Sequence, residues 1–283
     1  ILGVINAIPQ YPWSRGHAYH HKTNGNWELY RGPSALLSTE EFAKLSPSAQ
    51  RWYAFLRQPM MIFPGGFFYL AIKPRLALVM GIYGFIGHFL TALKRDPGMN
   101  LVEIISSYKS KNWYTAGEFW DLLFNNICVI SSWVIFGYLL GFGFFFGVYS
   151  ITLTCSAAIF ICVFFVQHNF DGSYAHRTAG WDYLLGAIEG SSYLELPLIL
   201  KWFSADIGYH NIHHLSERIP NYNLEACHNQ NVHLLAHVKK LKITDIPDCF
   251  KFILWDADAN SLTSIAAFHQ ATLSKDIVLT NQL

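Results

Sequence analysis

The sequence predicts a helical integral membrane protein, and two observations carry that reading. Of the 283 residues, 52% are hydrophobic and only 14% are charged, whereas soluble domains are about one quarter charged. The run from Leu122 to Phe170 contains no Asp, Glu, Lys or Arg. As a helix rising about 1.5 Å per residue it would be roughly twice the ~30 Å hydrocarbon core, so it must fold back on itself. A soluble protein with one buried helical hairpin is the alternative.

Taken in order, the elements divide as follows. Residues 9–33 are polar and aromatic and end in a Gly-Pro turn. A helix is expected over 39–57, opened by the cap-like Ser38-Thr39-Glu40-Glu41 and stopped before Pro59. Two shorter apolar runs, 59–72 and 76–93, flank Lys73-Pro74-Arg75, and either lie in the interface, re-enter or form a second hairpin. Residues 94–121 are polar and bring Trp113 and Trp120 to the hairpin as an interfacial belt would. The glycines of Leu139–Gly143 supply the reversal between spans expected at 122–140 and 144–166. Residues 181–203 read as an amphipathic stretch lying on a surface, and 231–283 as a tail whose last thirty or so residues carry no motif.

Charge and cysteine content exclude several classes. A net charge of +1 leaves no strongly basic nucleic-acid surface. Cys128, Cys155 and Cys162 lie inside the apolar spans, Cys227 and Cys249 are isolated, and no CxxC occurs, so neither a disulfide framework nor a zinc ribbon is suggested. Lys and Arg are plentiful in 15–57, 94–111 and 177–251 and absent from the hairpin turn, which puts the polar blocks on the cytoplasmic face. The chain opens on Ile1 with no basic segment ahead of its apolar start, and is expected to continue something longer.

Thirteen histidines set the chemistry. His17, His20 and His21 form one HxxHH, and His210, His213 and His214 another. On a helix, residues three and four apart share a face, so each set can aim imidazoles at a common metal. His168 stands where the long apolar run leaves the membrane, a position at which ionisable groups are functional by default. His176 is a further ligand candidate; His228 and His233 rank lower, and His88, His237 and His269 lower still. A ligating imidazole needs an orienting partner for its other nitrogen, and Asn24, Asp206, Asn211 and Glu217 are near enough in sequence to serve. HExxH is absent, seven clustered histidines exceed the three or four ligands of a zinc site, and a single ExxH, Glu225 with His228, falls short of a carboxylate-bridged di-iron bundle. No GxSxG elbow or GxGxxG turn occurs. Phe63-Pro64-Gly65-Gly66 lacks the histidine of a haem-binding HPGG. Imidazoles in this number suit two iron ions that work on O2.

The segments Trp13–Asn26, Phe164–Tyr183 and Asp206–His228, in this order, resemble the membrane-bound fatty acid desaturases, most closely the bacterial acyl-lipid or Δ12 (ω-6) type, over about residues 1–230. That resemblance implies an all-α integral membrane bundle with a cytosolic histidine-rich cap. It implies that His17, His20 and His21 form the second histidine box, His210, His213 and His214 the third, and His168 an additional ligand, with no catalytic residue beyond the metal ligands. The activity implied is O2-dependent insertion of a cis double bond into a fatty acyl chain carried on lipid, CoA or a carrier. Electrons would come from an external donor such as ferredoxin or cytochrome b5. The family's first box, expected on a preceding helix, does not occur in this sequence, so the chain is expected to be incomplete at its N-terminal side, with the activity belonging to the complete protein. A di-iron hydroxylase, ketolase or alkane monooxygenase uses similar boxes and is the alternative enzyme. A non-catalytic membrane paralogue is the alternative of another class.

Overall fold

The computed structural model describes residues 2–29 and 35–280, with the side chains of 275–280 excepted, so that part of the expected 9–33 segment lies outside the described residues. The protein is mostly helical, with five short strands among the described residues. The chain divides into two compact units, residues 1–17 with 63–159, and residues 18–62 with 160–283.

Among the described residues, three helices are long and apolar enough to cross a membrane: Pro59–Arg95, Ala116–Leu140 and Phe142–Val166. The last two are the expected hairpin, and the reversal is confined to Gly141 at φ +85°, a conformation open to glycine and disfavoured for other residues. The first of the pair begins earlier than the apolar run because Thr115 caps it, accepting the Glu118 N–H through its side chain.

The Pro59–Arg95 helix runs straight through Lys73-Pro74-Arg75, where the sequence suggests a break. Pro74 has no N–H to give the carbonyl four residues back, and the five residues before Lys73 open into a π-helical turn, Phe68–Ile72. The carbonyls released there are taken by Arg75, whose Nη1 donates to Leu70 O at 3.1 Å, Ala71 O at 3.3 Å and Ala7 O at 2.7 Å. Its Nε and Nη2 donate to Asn126 Oδ1 at 2.9 Å and Asn125 Oδ1 at 2.6 Å. Asn125 in turn donates to the carbonyls of Gly3 and Ile8. A polar knot therefore sits against the apolar core of this unit, formed by Ala7, Leu70, Ala71, Val129, Leu153 and Ala157.

The second unit departs further from the sequence reading. The expected 39–57 helix is two helices, Thr39–Ala43 and Pro47–Leu56, because Ser46 caps a new start with Pro47 at its first position. The Ser38 capping box with Glu41 is present. Residues 181–203 form three pieces, helix Tyr183–Ile188, strand Tyr193–Glu195 and helix Leu198–Phe203. Strands also arise in the C-terminal segment. Lys240–Lys242 pairs in parallel with Tyr193–Glu195. Phe252–Asp256 lies between Leu37–Ser38, parallel, and Ser261–Ser264, antiparallel. These segments carry buried core: Leu241, Cys249 and Phe250 pack with Val166, Phe170 and Leu194, and Leu254 packs with Phe42 and Tyr53.

The Arg75 knot gives a stability prediction. Arg75→Leu leaves two asparagine amides and three carbonyls short of donors, each orphan costing about 1–3 kcal/mol, and should lower the apparent melting temperature in detergent by several degrees. Arg75→Lys, which keeps the charge and loses the planar fork, should fall between the variant and the parent.

Candidate metal centre

The helix Gln10–Thr23 carries the first histidine set, with His20 and His21 buried near its C-terminal end. His17 stands one turn before His21 on the same helix, stacked on Trp13 with ring centroids 4.9 Å apart. His168 follows the end of Phe142–Val166 in a segment clamped on both sides. Gln167 Nε2 donates to Ile207 O at 2.9 Å, Asn169 Nδ2 to Phe252 O at 2.9 Å, and Ser173 Oγ to the carbonyl of His168 itself at 2.8 Å. The second set occupies the six-residue helix His210–Leu215, in which His210 and His214 are fully inside.

Four of these imidazoles converge. His20 Nε2 is 3.1 Å from His168 Nε2, His210 Nε2 is 2.9 Å from the same atom, and His214 Nε2 is 3.2 Å from His210 Nε2. All four rings are buried, and one ligand nitrogen from each lies within 4.8 Å of the others. His21 continues the group, stacked on His214 at 4.2 Å and edge-on to His213 at 4.4 Å.

The donor set fits a metal ion. His168 Nδ1 lies 2.9 Å from the Gly190 carbonyl, which only accepts, so the proton is on Nδ1 and a lone pair on Nε2 points into the cluster. Two other Nε2 atoms approach that lone pair, and a single hydrogen bond cannot satisfy both. A cation resolves the conflict, since a metal–nitrogen bond of about 2.1 Å places neighbouring ligand nitrogens about 3.0 Å apart, as found. Imidazole suits several first-row metals, iron among them.

The four expected orienting partners fall in different places. Asn24 Nδ2 donates to the carbonyls of Gly186 at 2.6 Å and Gly190 at 3.2 Å, thereby fixing the acceptor that orients His168. Gly186 permits this approach, since a Cβ there would sit 2.3 Å from Asn24 O. Asn211 is completely buried, and among the described residues its amide nitrogen and oxygen have no hydrogen-bond partner, nor do Nδ1 of His210 and of His214 on the same helical turn. Asp206 acts through its backbone: at φ +58° its N–H donates to Lys201 O and its carbonyl accepts from Tyr209. Glu217 lines a cleft of about 420 Å³ with His21, Lys22, Tyr183 and Arg218. His176 is not brought to the four-imidazole group: it stacks on Tyr174 and its Nδ1 meets Arg177 O. His88 lies beside Ile104 and Ser107, and His269 beside Phe42 and Phe268.

One arrangement escaped sequence reasoning. Tyr209, which leads into the histidine helix, is buried, and its hydroxyl donates to Glu225 Oε1 at 2.9 Å. Lys201 Nζ reaches the same carboxylate oxygen at 2.7 Å and the Tyr209 hydroxyl at 3.2 Å. Tyr193 stacks on the Tyr209 ring at 4.7 Å, and His228 packs on both. Glu225 and His228 are thus packing and anchoring partners of Tyr209. Burial pushes the Tyr209 phenol well above its ordinary range, and the Lys201 and Tyr209 hydrogen bonds hold the Glu225 carboxyl below its own.

Burial first, and repulsion from the neighbouring imidazoles second, hold His210 and His214 well below the ordinary histidine value. Both rings stay neutral in the folded protein, with lone pairs available. The unfolded chain, whose histidines titrate near ~6.5, takes up protons that the folded state refuses. Stability is therefore full above that pH and declines as pH falls through it, by up to about 1.4 kcal/mol per pH unit for each ring. Melting curves of chelator-treated protein at pH 7.5 and 5.5 should show this loss, and His210→Gln with His214→Gln should flatten the dependence.

The model of the family described as "Fatty acid desaturase" matches residues 1–241. A protein of Bacillus subtilis (strain 168) named "Fatty acid desaturase" is 28% identical over 276 residues, which is 97% of this chain and 69% of that protein. With a family match across most of its length and a buried histidine group able to hold a metal, the chain belongs to the fatty acid desaturase family and is an oxidoreductase enzyme.

Proposed function

We propose that the complete protein inserts a cis double bond into a fatty acyl chain at a histidine-ligated di-iron centre, using O2. The observation that carries this reading is the convergence of the His20, His168, His210 and His214 nitrogens in one buried group. These four are one ligand set. His21 and His213, whose rings are in contact, belong to the second, and His17 is assigned to it from its spacing in the sequence, one helical turn before His21. Bound iron supplies the activation of O2 that removes two hydrogens from an unactivated part of the chain, with release of water.

The protein's own residues present and insulate the ligands. Asn24 and Gly190 hold the tautomer and direction of His168. The Lys201–Glu225–Tyr209 network fixes the entry to the His210–Leu215 helix. Phe164 lies against both His20 and His168 and keeps water from that side. In this reading the protein is a multi-pass membrane protein in which Ala116–Leu140 and Phe142–Val166 cross as a hairpin and residues 59–95 add no net crossing, so that the histidines share one cap on the cytoplasmic face that the Lys and Arg distribution favours. The substrate is a fatty acyl chain on lipid, CoA or a carrier, and an external donor such as ferredoxin or cytochrome b5 supplies electrons.

Expression of the complete protein in a host lacking the activity, with mass spectrometry of the total fatty acids, tests the reading. Loss of two hydrogens is the expected product, whereas gain of one oxygen identifies a hydroxylase. The purified protein should contain about two irons per chain, and His210→Ala should lower both the iron content and the product by at least about tenfold. Unchanged iron in that variant would reject the assignment of His210.

A further inference from the structure

The helix Leu198–Phe203 is six residues long and lies outside the three candidate membrane helices, yet it exposes four large apolar side chains. Leu198 is 82% exposed, Ile199 69%, Trp202 75% and Phe203 74%. Positions i, i+1, i+4 and i+5 of a helix form one continuous face, so these four side chains share one side. The opposite side belongs to the protein. Lys201, whose side chain is only 17% exposed, points away from that face to the Glu225 carboxylate and the Tyr209 hydroxyl. The helix is thus held by its single charge with its apolar side outward, the reverse of a soluble surface helix.

Two features identify what covers this face. The same unit contains residues 59–62 and 160–166, the ends of two of the candidate membrane helices, so chain continuity brings it to the lipid surface in the membrane reading proposed above. The strand Tyr193–Glu195, three residues before the helix, pairs in parallel with Lys240–Lys242, and Lys239, Lys240 and Lys242 are all exposed. Glu195, opposite Lys242 in the register, offsets part of this charge. Exposed Trp and Phe beside a basic strip match the interface of a bilayer with anionic headgroups, where aromatic side chains settle at headgroup depth and each nearby lysine adds attraction.

We infer that Leu198–Phe203 is an interfacial lipid anchor, with Leu198, Ile199, Trp202 and Phe203 set into the boundary between headgroups and acyl chains, and with Lys239, Lys240 and Lys242 against anionic phospholipid. Because Lys201 ties the anchor to Tyr209, the residue leading into the histidine helix is braced by an element fixed on lipid.

The test uses the full chain in nanodiscs of phosphatidylcholine, with and without about 30% phosphatidylglycerol. A trace of phosphatidylcholine carries a diazirine near the top of one acyl chain, and adducts are mapped by peptide mass spectrometry. Residues 198–203 should take at least about fivefold more label than the water-exposed turn 257–260 of the same unit. Label equal to that turn would overturn the anchor and leave the face to a macromolecular partner. Phosphatidylglycerol should raise labelling of 198–203 about twofold, and Lys240→Ser with Lys242→Ser should abolish that rise without removing the basal label. Indifference of the parent protein to phosphatidylglycerol would overturn the basic half of the inference. Lack of label on both 198–203 and Ala116–Leu140 would overturn the bilayer reading along with it.

Discussion

Holding imidazole lone pairs against one another in a dry interior is the constraint on which the rest of the second unit depends. Three contacts between Nε2 atoms, at 2.9 to 3.2 Å, occur among four buried rings. Neutral nitrogens so close, two of them contesting the one lone pair of His168 Nε2, repel in the low local dielectric. Desolvation closes the other escape, protonation, by holding His210 and His214 below their ordinary range. The arrangement persists because each ring is borne on backbone fixed from several directions. The Gln167–Asn169 segment is tied by side-chain bonds to Ile207 and Phe252, and His168 is turned by a carbonyl that Asn24 also holds. The fold keeps in place a ligand geometry that the histidines alone would not adopt.

That division of labour explains what was legible in the sequence. Ligands on one helix must repeat at three or four residues, so HxxHH at 17–21 and 210–214 announces itself, and His168 stands out at the end of an uncharged run. The hairpin was legible too, because burial in lipid demands an unbroken apolar length. The two sheets were not. Leu37–Ser38 is two residues long, Lys240–Lys242 alternates over three, and each pairs with a strand far away in sequence. Nothing local distinguishes such a segment from a loop, and its order comes from partners such as Leu194 and Leu254 in the core. Calling 231–283 a tail followed from the lack of a motif, and buried Leu241, Cys249, Leu254 and Leu262 contradict it.

Arg75 and Lys201 show a second kind of illegibility. In the sequence both are charges interrupting apolar segments, which reads as a boundary for Lys73-Pro74-Arg75 and as amphipathicity for Leu198–Phe203. In the structure both are tethers. Arg75 gathers carbonyls that a proline and a π-helical turn have released. Lys201 reaches a carboxylate twenty-four residues on and the hydroxyl of Tyr209. In each case the charge ends where several polar groups meet, and the apolar neighbours are free to face outward. Binary patterning treats a charge as a mark of exposure, and here that inference fails because the partners come from elsewhere in the chain.

The tethers bear differently on a metal centre. A helix of six residues has too few internal hydrogen bonds to hold its own axis, and His210–Leu215 begins without a side-chain cap. Its direction is set from outside, by Tyr209, which is stacked on Tyr193, packed against His228 and bonded to Glu225. A tilt of this helix would move His210 and His214 together relative to His168, so it would change the ligand nitrogen separations without altering any ligand. Asn211 is buried on the same turn, and neither of its amide atoms has a hydrogen-bond partner among the described residues. The histidine helix is thus positioned by tyrosine, glutamate and lysine from outside the histidine set, and the separations of His210 and His214 from His168 depend on that anchorage.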